Sequence, residues 1–266
     1  MIENSEKQKR GPIALVTDFG TRDYFVAAMK GVILSICAEA VIVDVTHEIE
    51  PQAVRSAAFV LRACYRDFPA GTIFVAVVDP GVGSARRAVL IETEKYLFVA
   101  PDNGLLSFVV RDEATARVRE LANREYFAAA VSATFHGRDV FAPVAAHLAR
   151  GAAPDSCGPE IADLIVFDEA RPRRVASDLI EAEIIEIDRF GNLITNLRRA
   201  DLPADFALEV GAARVDRRRD FYAEADPGEV FMIFGSAGLL EIAAFGDSAQ
   251  RLLEVSRGER ILVRVL

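Results

Sequence analysis

The 266-residue chain carries 31 Lys and Arg against 40 Asp and Glu, a formal net charge of −9, with 52% apolar and 27% charged residues. Such an apolar share excludes disorder over most of the length, because enough surface can be buried to offset the entropy of ordering. At about 150 residues per domain, one large or two modest domains are expected. The acidic balance argues against nucleic-acid or anionic-membrane binding, both of which need a basic surface, and it suits a cationic ligand.

The opening MIENSEKQKRG is charged and has no apolar stretch, so no signal peptide is predicted. No run approaches the ~18 apolar residues that span a bilayer. Cys37, Cys64 and Cys157 are widely spaced and form no CxxC pair, which indicates neither a zinc knuckle nor a disulfide framework. Cys37 and Cys64 sit in apolar contexts and read as small buried hydrophobes. A reducing cytoplasm is the expected compartment.

Residues 13–17 (IALVT) predict a buried strand ending at Asp18-Phe19-Gly20. Residues 23–37 carry apolar residues at helical spacing, with Asp23 as N-cap or first-turn acid. A strand follows at 41–45, a helix at 51–66 with Pro51 in its first turn, and a strand at 72–78. This alternation predicts a parallel sheet covered on both faces. Residues 88–92 and 96–100 read as a hairpin, and 138–150 as a helix with Pro143 near its first turns.

The charged, aperiodic stretch 168–178 (DEARPRRVASD) reads as a linker between a domain at 12–167 and another at 179–266. Beyond it, short strand-like runs at 180–187, 193–197, 206–210, 230–234, 239–243 and 261–266 predict a small, mostly β domain.

In an open α/β sheet, ligands bind beyond the carboxyl ends of the strands. Three strand ends here carry acids in polar, turn-rich sequence: Asp18 and Asp23 after the first, Asp44 with His47 at the second, and Asp79 at the third. The segment Asp79–Arg87 (DPGVGSARR) admits three readings. It is a plain turn, a phosphate loop built on Gly81 and Gly83, or a loop that folds back so that Arg86 pairs with a carboxylate and keeps it ionised. The P-loop Lys-Ser/Thr ending is missing.

Of the three histidines, His147 lies on a helix and reads as structural. His47 sits past a strand end, where it can orient loops. His136 opens a loop-to-helix junction, His136-Gly137-Arg138-Asp139, and is the first choice for a functional role. No HxH, HExxH or GxSxG motif occurs, so neither a metal centre nor a nucleophilic serine is expected. In the second half, Asp188-Arg189-Phe190-Gly191-Asn192 and Phe234-Gly235-Ser236-Ala237-Gly238 read from spacing alone as turns.

Taken together, TDFG (17–20), VDVTH (43–47), VVDPGVGSARR (77–87), PDNG (101–104), FHGRD (135–139) and IDRFGN (187–192) occur in one order from about residue 13 onward. This set resembles the S-adenosyl-L-methionine (SAM) hydrolases, also called SAM hydroxide adenosyltransferases, which are related to the SAM-dependent fluorinase and chlorinase. The resemblance implies an N-terminal α/β sandwich-type domain with a mostly parallel sheet and a C-terminal, mostly-β, barrel-like domain. It implies hydrolysis of SAM to adenosine and L-methionine with water as nucleophile, no cofactor and no metal. It further implies a homotrimer holding SAM between the N-terminal domain of one subunit and the C-terminal domain of its neighbour.

By the same resemblance, Asp79, Arg86 and His136 are the catalytic set. Asp18 binds the ribose hydroxyls, Asp23 and Asp188 hold the methionine ammonium, Asn192 contacts the adenine side, and Ser236 binds the methionine carboxylate. Where the fluorinase has a Tyr and a Ser near its halide, this chain has His136 and Gly137. Ala237 replaces a fluorinase Arg, and Gln52 falls at the position of a fluorinase Trp. The alternatives are a halide-using adenosyl transferase and a SAM- or adenosine-binding protein without turnover.

Overall fold

The structure, a computed structural model, describes residues 11–266, so the expectation for the opening segment lies outside the described residues. The chain divides into two compact units, with the boundary between Phe167 and Asp168.

In the first unit, β1 (Ile13–Thr17), β2 (Ile42–Thr46), β3 (Ile73–Val77), β4 (Ala88–Glu92), β5 (Leu97–Pro101) and β6 (Arg117–Glu120) form one sheet in the order β2-β1-β3-β5-β4-β6. β2, β1, β3 and β5 run parallel, and β4 runs antiparallel to both β5 and β6. The central strands are apolar throughout because both of their faces are covered. Ile13 and Leu15 of β1 pack with Met29 and Ile33 of α1 (Phe25–Ile36) and Val144 and Leu148 of α4 (Ala142–Ala149). Ala14 and Val16 pack on the other face with Ala57 and Leu61 of α2 (Val54–Cys64) and Val109 of α3 (Ser107–Asp112). Each such Leu or Ile side chain contributes about 1.5–3 kcal/mol by leaving water.

Two local expectations are corrected. Tyr24, not Asp23, is the N-cap of α1, no side chain bonds the cap, and Asp23 is exposed. Pro51 precedes α2 rather than opening it: Pro51 and Gln52 form a turn, with Gln52 in the left-handed region at φ 68°. The helix expected at 138–150 begins as a π-helical turn (Gly137–Phe141) and continues as α4, with Pro143 in its first turn.

The second unit is antiparallel and barrel-like. β7 (Arg173–Ala176), β8 (Leu179–Ile187), β9 (Leu193–Arg198), β10 (Phe206–Val210), β11 (Ala213–Val215), β12 (Val230–Phe234), β13 (Leu239–Ala244) and β14 (Arg260–Val265) follow the order β11-β10-β14-β8-β9-β13-β12, with β7 beside β8. β8 makes the corner. Its first half pairs with β14 and its second half with β9. Ile180, Ala182 and Ile184 point inward along it, as the period of two requires. An isolated bridge from Arg218 to Met232 brings the two ends of the path together. The stretch 168–178, read as linker for its lack of periodicity, contains β7.

The three thiols are free, and burial pushes Cys64 and Cys157 up to about 11, which disfavours their thiolates. Among the described residues, no helix is long and apolar enough to cross a membrane.

Candidate active site

β1 lies between β2 and β3, so the sheet's connections diverge there and leave a crevice at the carboxyl ends. Asp18, His47 and Asp79 all follow the last residues of these three parallel strands.

Asp79, Arg86 and His136 meet. Arg86 Nε donates to Asp79 Oδ1 at 2.9 Å and Oδ2 at 3.0 Å. Arg86 Nη2 donates to Asp79 Oδ2 and, at 2.9 Å, to His136 Nδ1. The Arg86 and Asp79 side chains are only 9% and 5% exposed. Of the three readings of residues 79–87, the structure thus selects the loop that folds back. Gly83 has a φ of 77°, and a Cβ there would sit 2.2 Å from the Ala133 carbonyl oxygen. That glycine serves the close approach of the loop to the segment leading into His136.

The polar neighbours hold this cluster. Asn103 Nδ2 donates to the Val78 carbonyl at 2.8 Å, fixing the strand end just before Asp79. Arg87 is clamped by buried Asp102 at 3.0 and 2.7 Å. Asp139 accepts from Arg138 Nε at 2.6 Å and from the Ser132 amide at 2.8 Å. Burial opposes its charge, but those two donors outweigh burial and hold its carboxyl below the usual range.

Arginine has only donors, so His136 Nδ1 must be the acceptor and the ring proton sits on Nε2. Burial pulls the His136 pKa down, the Arg86 charge adds to that, and Asp79 and Asp139 oppose it. The neutral ring therefore persists below the ordinary histidine value of about 6.5. If activity requires this neutral form, kcat/KM should stay flat as pH falls from about 8 to about 6.5 and decline only below. An acid limb above that value in a pH–rate profile would contradict the assignment. Stability follows the same sign: the unfolded chain takes up this proton first, so acidification from about 6.5 downward, through the lowered folded-state value, destabilises the fold.

Asp18 is half-buried, and its Oδ2 accepts the Gln52 amide at 2.9 Å. In the second unit, Asp188 Oδ1 accepts the amides of Phe190 and Asn192, each at 2.9 Å, and Oδ2 accepts Asn192 Nδ2 at 2.9 Å. The turn that spacing suggested is real, and it locks these two side chains together. Asp188, Asn192 and Ser236 line one cavity of about 820 Å³ with Tyr222 and Glu241. Ser236 is exposed at the turn between β12 and β13.

Sequence reasoning missed Tyr222 and Glu241. Burial pushes the Glu241 carboxyl up, the Asp188 charge raises it further, and a hydrogen bond from Tyr222 only partly offsets this. Tyr222 Oη also lies 3.3 Å from Asn192 Nδ2. Among the described residues, no group of three or more His, Cys, Asp or Glu side chains could hold a metal ion.

Residues 13–158 match the SAM hydroxide adenosyltransferase N-terminal domain, and residues 182–262 match the SAM hydroxide adenosyltransferase C-terminal domain. The chain belongs to this family. Among proteins similar to this SAM hydroxide adenosyltransferase family member is the (R)-S-adenosyl-L-methionine hydrolase of Thermus thermophilus, 41% identical over 93% of this chain and 97% of that one. A fluorinase from an Actinoplanes species is 32% identical over 71% of this chain and 72% of its own. The crystal structure of an uncharacterized conserved protein from Thermotoga maritima superposes with a TM-score of 0.87 at 37% identity, covering 95% of this chain and 99% of that one.

His136 immediately precedes the π-helical turn, and Gly137 beside it is buried among side chains. A Cβ at Gly137 would meet Met29 Sδ at 3.1 Å and the Phe135 and Phe19 rings at 3.2 Å each. Any side chain larger than glycine's therefore fits there only if these neighbours shift.

Proposed function

We propose that this protein hydrolyses SAM, water attacking C5′ of the adenosyl group to give adenosine and L-methionine. The observation that carries the reading is the Asp79–Arg86–His136 cluster at the strand ends, in a chain of this family. The bond from C5′ to sulfur breaks with its electron pair going to sulfur, so methionine departs as a neutral thioether and needs no general acid. The bond from water oxygen to C5′ forms, and the water must lose a proton.

Asp79 is the proton acceptor. Arg86 occupies one lone pair on Asp79 Oδ1 and leaves the other for the water. His136, with its proton on Nε2, donates a hydrogen bond that orients the same water. Holding the water in line behind C5′ contributes up to ~7–11 kcal/mol in ideal intramolecular cases. Asp18 holds the ribose hydroxyls, and Asp23 and Asp188 hold the methionine ammonium. Asn192 contacts adenine and Ser236 the methionine carboxylate. These acids also favour the cationic sulfonium in a partly desolvated cleft.

The active form is a homotrimer, in which the first unit of one subunit and the second unit of a neighbour complete each site. The setting is the cytoplasm, which suits three free thiols. No cofactor or metal takes part, and neither nucleic acid nor membrane is a partner.

Incubation with SAM followed by chromatography tests this reading. Adenosine and methionine are expected in equal amounts, with and without a chelator and with or without chloride. SAM recovered intact would make the protein a binder, and a 5′-chloro product would make it a halide user. Activity lost to chelator and restored by a divalent ion would overturn the metal-free chemistry.

A further inference from the structure

The conspicuous polar network that this chemistry leaves unused joins the ends of β1 and β2. His47 is 4% exposed and lies between two side chains. Its Nδ1 shares a 2.8 Å hydrogen bond with Thr17 Oγ1, and its Nε2 lies 3.0 Å from Asp44 Oδ1, off the line of a well-aligned hydrogen bond. Asp44 Oδ2 is 2.6 Å from Lys30 Nζ on α1. Burial opposes the Asp44 charge, but Lys30 and His47 outweigh it and hold the carboxyl below its usual range.

The order Asp–His–Thr has the look of a nucleophilic relay, but Thr17 is fully buried and cannot reach a substrate. The contacts lead instead into the loop that carries Asp18. Thr17 Oγ1 accepts the Phe19 amide at 3.3 Å, and the His47 carbonyl accepts the Gly20 amide at 2.7 Å. Five residues on, the Gln52 amide donates to Asp18 Oδ2. Gln52 holds a left-handed φ of 68°, which a residue with a side chain adopts only where its surroundings impose it. The segment from His47 to Gln52 thus grips the loop at Thr17, at Asp18 and at Gly20.

We propose that, given the ribose-binding role assigned above to Asp18, His47 is the positioning residue that sets the Asp18 loop and thereby the preference for a ribose over a 2′-deoxyribose. His47 touches neither the Asp79–Arg86–His136 cluster nor the reacting atoms. Its loss therefore acts on binding of the sugar and leaves the chemical step alone.

The test compares wild type with His47→Ala, Thr17→Val and His47→Asn, using SAM and its 2′-deoxyadenosyl analogue. In His47→Ala and Thr17→Val, KM for SAM should rise about tenfold with kcat within about threefold of wild type. The preference for SAM over the deoxy analogue should fall by the same factor, because a misplaced Asp18 no longer reads the hydroxyl. His47→Asn keeps a polar atom near the Nδ1 position and should restore KM to within about threefold of wild type. Thr17→Val preserves shape in a fully buried site, so it carries the test if His47→Ala fails to fold.

Unchanged KM and unchanged sugar preference in folded variants would overturn the proposal. A fall in kcat with KM and preference intact would overturn it too, placing His47 in the chemistry. Wild-type activity on SAM is the control that separates the two levels. If wild type itself neither cleaves SAM nor binds adenosine by calorimetry, the hydrolase reading falls first and takes this role of His47 with it.

Discussion

Asp79→Asn is expected to lower kcat for SAM by about 10²–10⁴-fold, the range typical of a correctly placed base, while KM changes by less than about tenfold. The amide keeps the shape of the carboxylate but cannot take up the water's proton. It also faces Arg86 with one acceptor and one donor where two acceptors stood, since Nε reaches both Asp79 oxygens and Nη2 reaches Oδ2. Breaking a buried ion pair by removing one charge costs about 3–5 kcal/mol, so the variant should also melt at a lower temperature. Turnover must therefore be read well below that temperature, with the fraction folded checked by circular dichroism. Binding of SAM, measured by calorimetry on the inactive variant, separates the two roles. If affinity and turnover fall by the same factor, Asp79 is a binding residue and the proton goes elsewhere.

The parts legible from sequence were those in which one physical requirement dominates. IALVT at 13–17 can only be a strand buried on both faces, and it is. The strand-like run at 180–187 is likewise a half-buried strand, Leu179–Ile187. Elements escaped where the requirement comes from elsewhere in the fold. β7 lies in a charged stretch without periodicity and exists because β8 offers it an edge. α3 and α5 (Ala249–Leu253) are too short for a helical pattern to emerge.

Pro51 reads as a helix start, but the Gln52 amide is committed to Asp18, so the chain turns once more before α2 begins at Val54. Site residues follow the same division. Asp79 and Arg86 are seven apart at a strand end, and folding back was one of three readings that spacing alone left open. Glu241 was invisible because it is the polar member of an apolar strand, where it reads as facing solvent. Its burial arises from the neighbouring Gly235, whose missing side chain leaves room for the Glu241 carboxylate, and from Asp188 and Tyr222 beside it.

Mixing two inactive variants, Asp79→Ala and Asp188→Ala, should restore activity if each site draws Asp79 and Asp188 from different subunits of a trimer. Asp79 belongs to the first unit and Asp188 to the second, so the two changes can be separated among chains. In a ring closed by one repeated head-to-tail interface, every site is formed by an ordered pair of chains. A site is intact when its first unit comes from an Asp188→Ala chain and its second from an Asp79→Ala chain. Random exchange at equal amounts makes about a quarter of the sites intact, so about a quarter of wild-type activity should return. If instead one chain supplies both residues to a site, no mixture contains an intact site and activity stays at zero. The experiment needs proof that subunits exchange, which mass spectrometry of differently tagged chains provides. Exchange without any return of activity overturns the shared site, and a trimer observed alongside it would then owe its assembly to something other than catalysis.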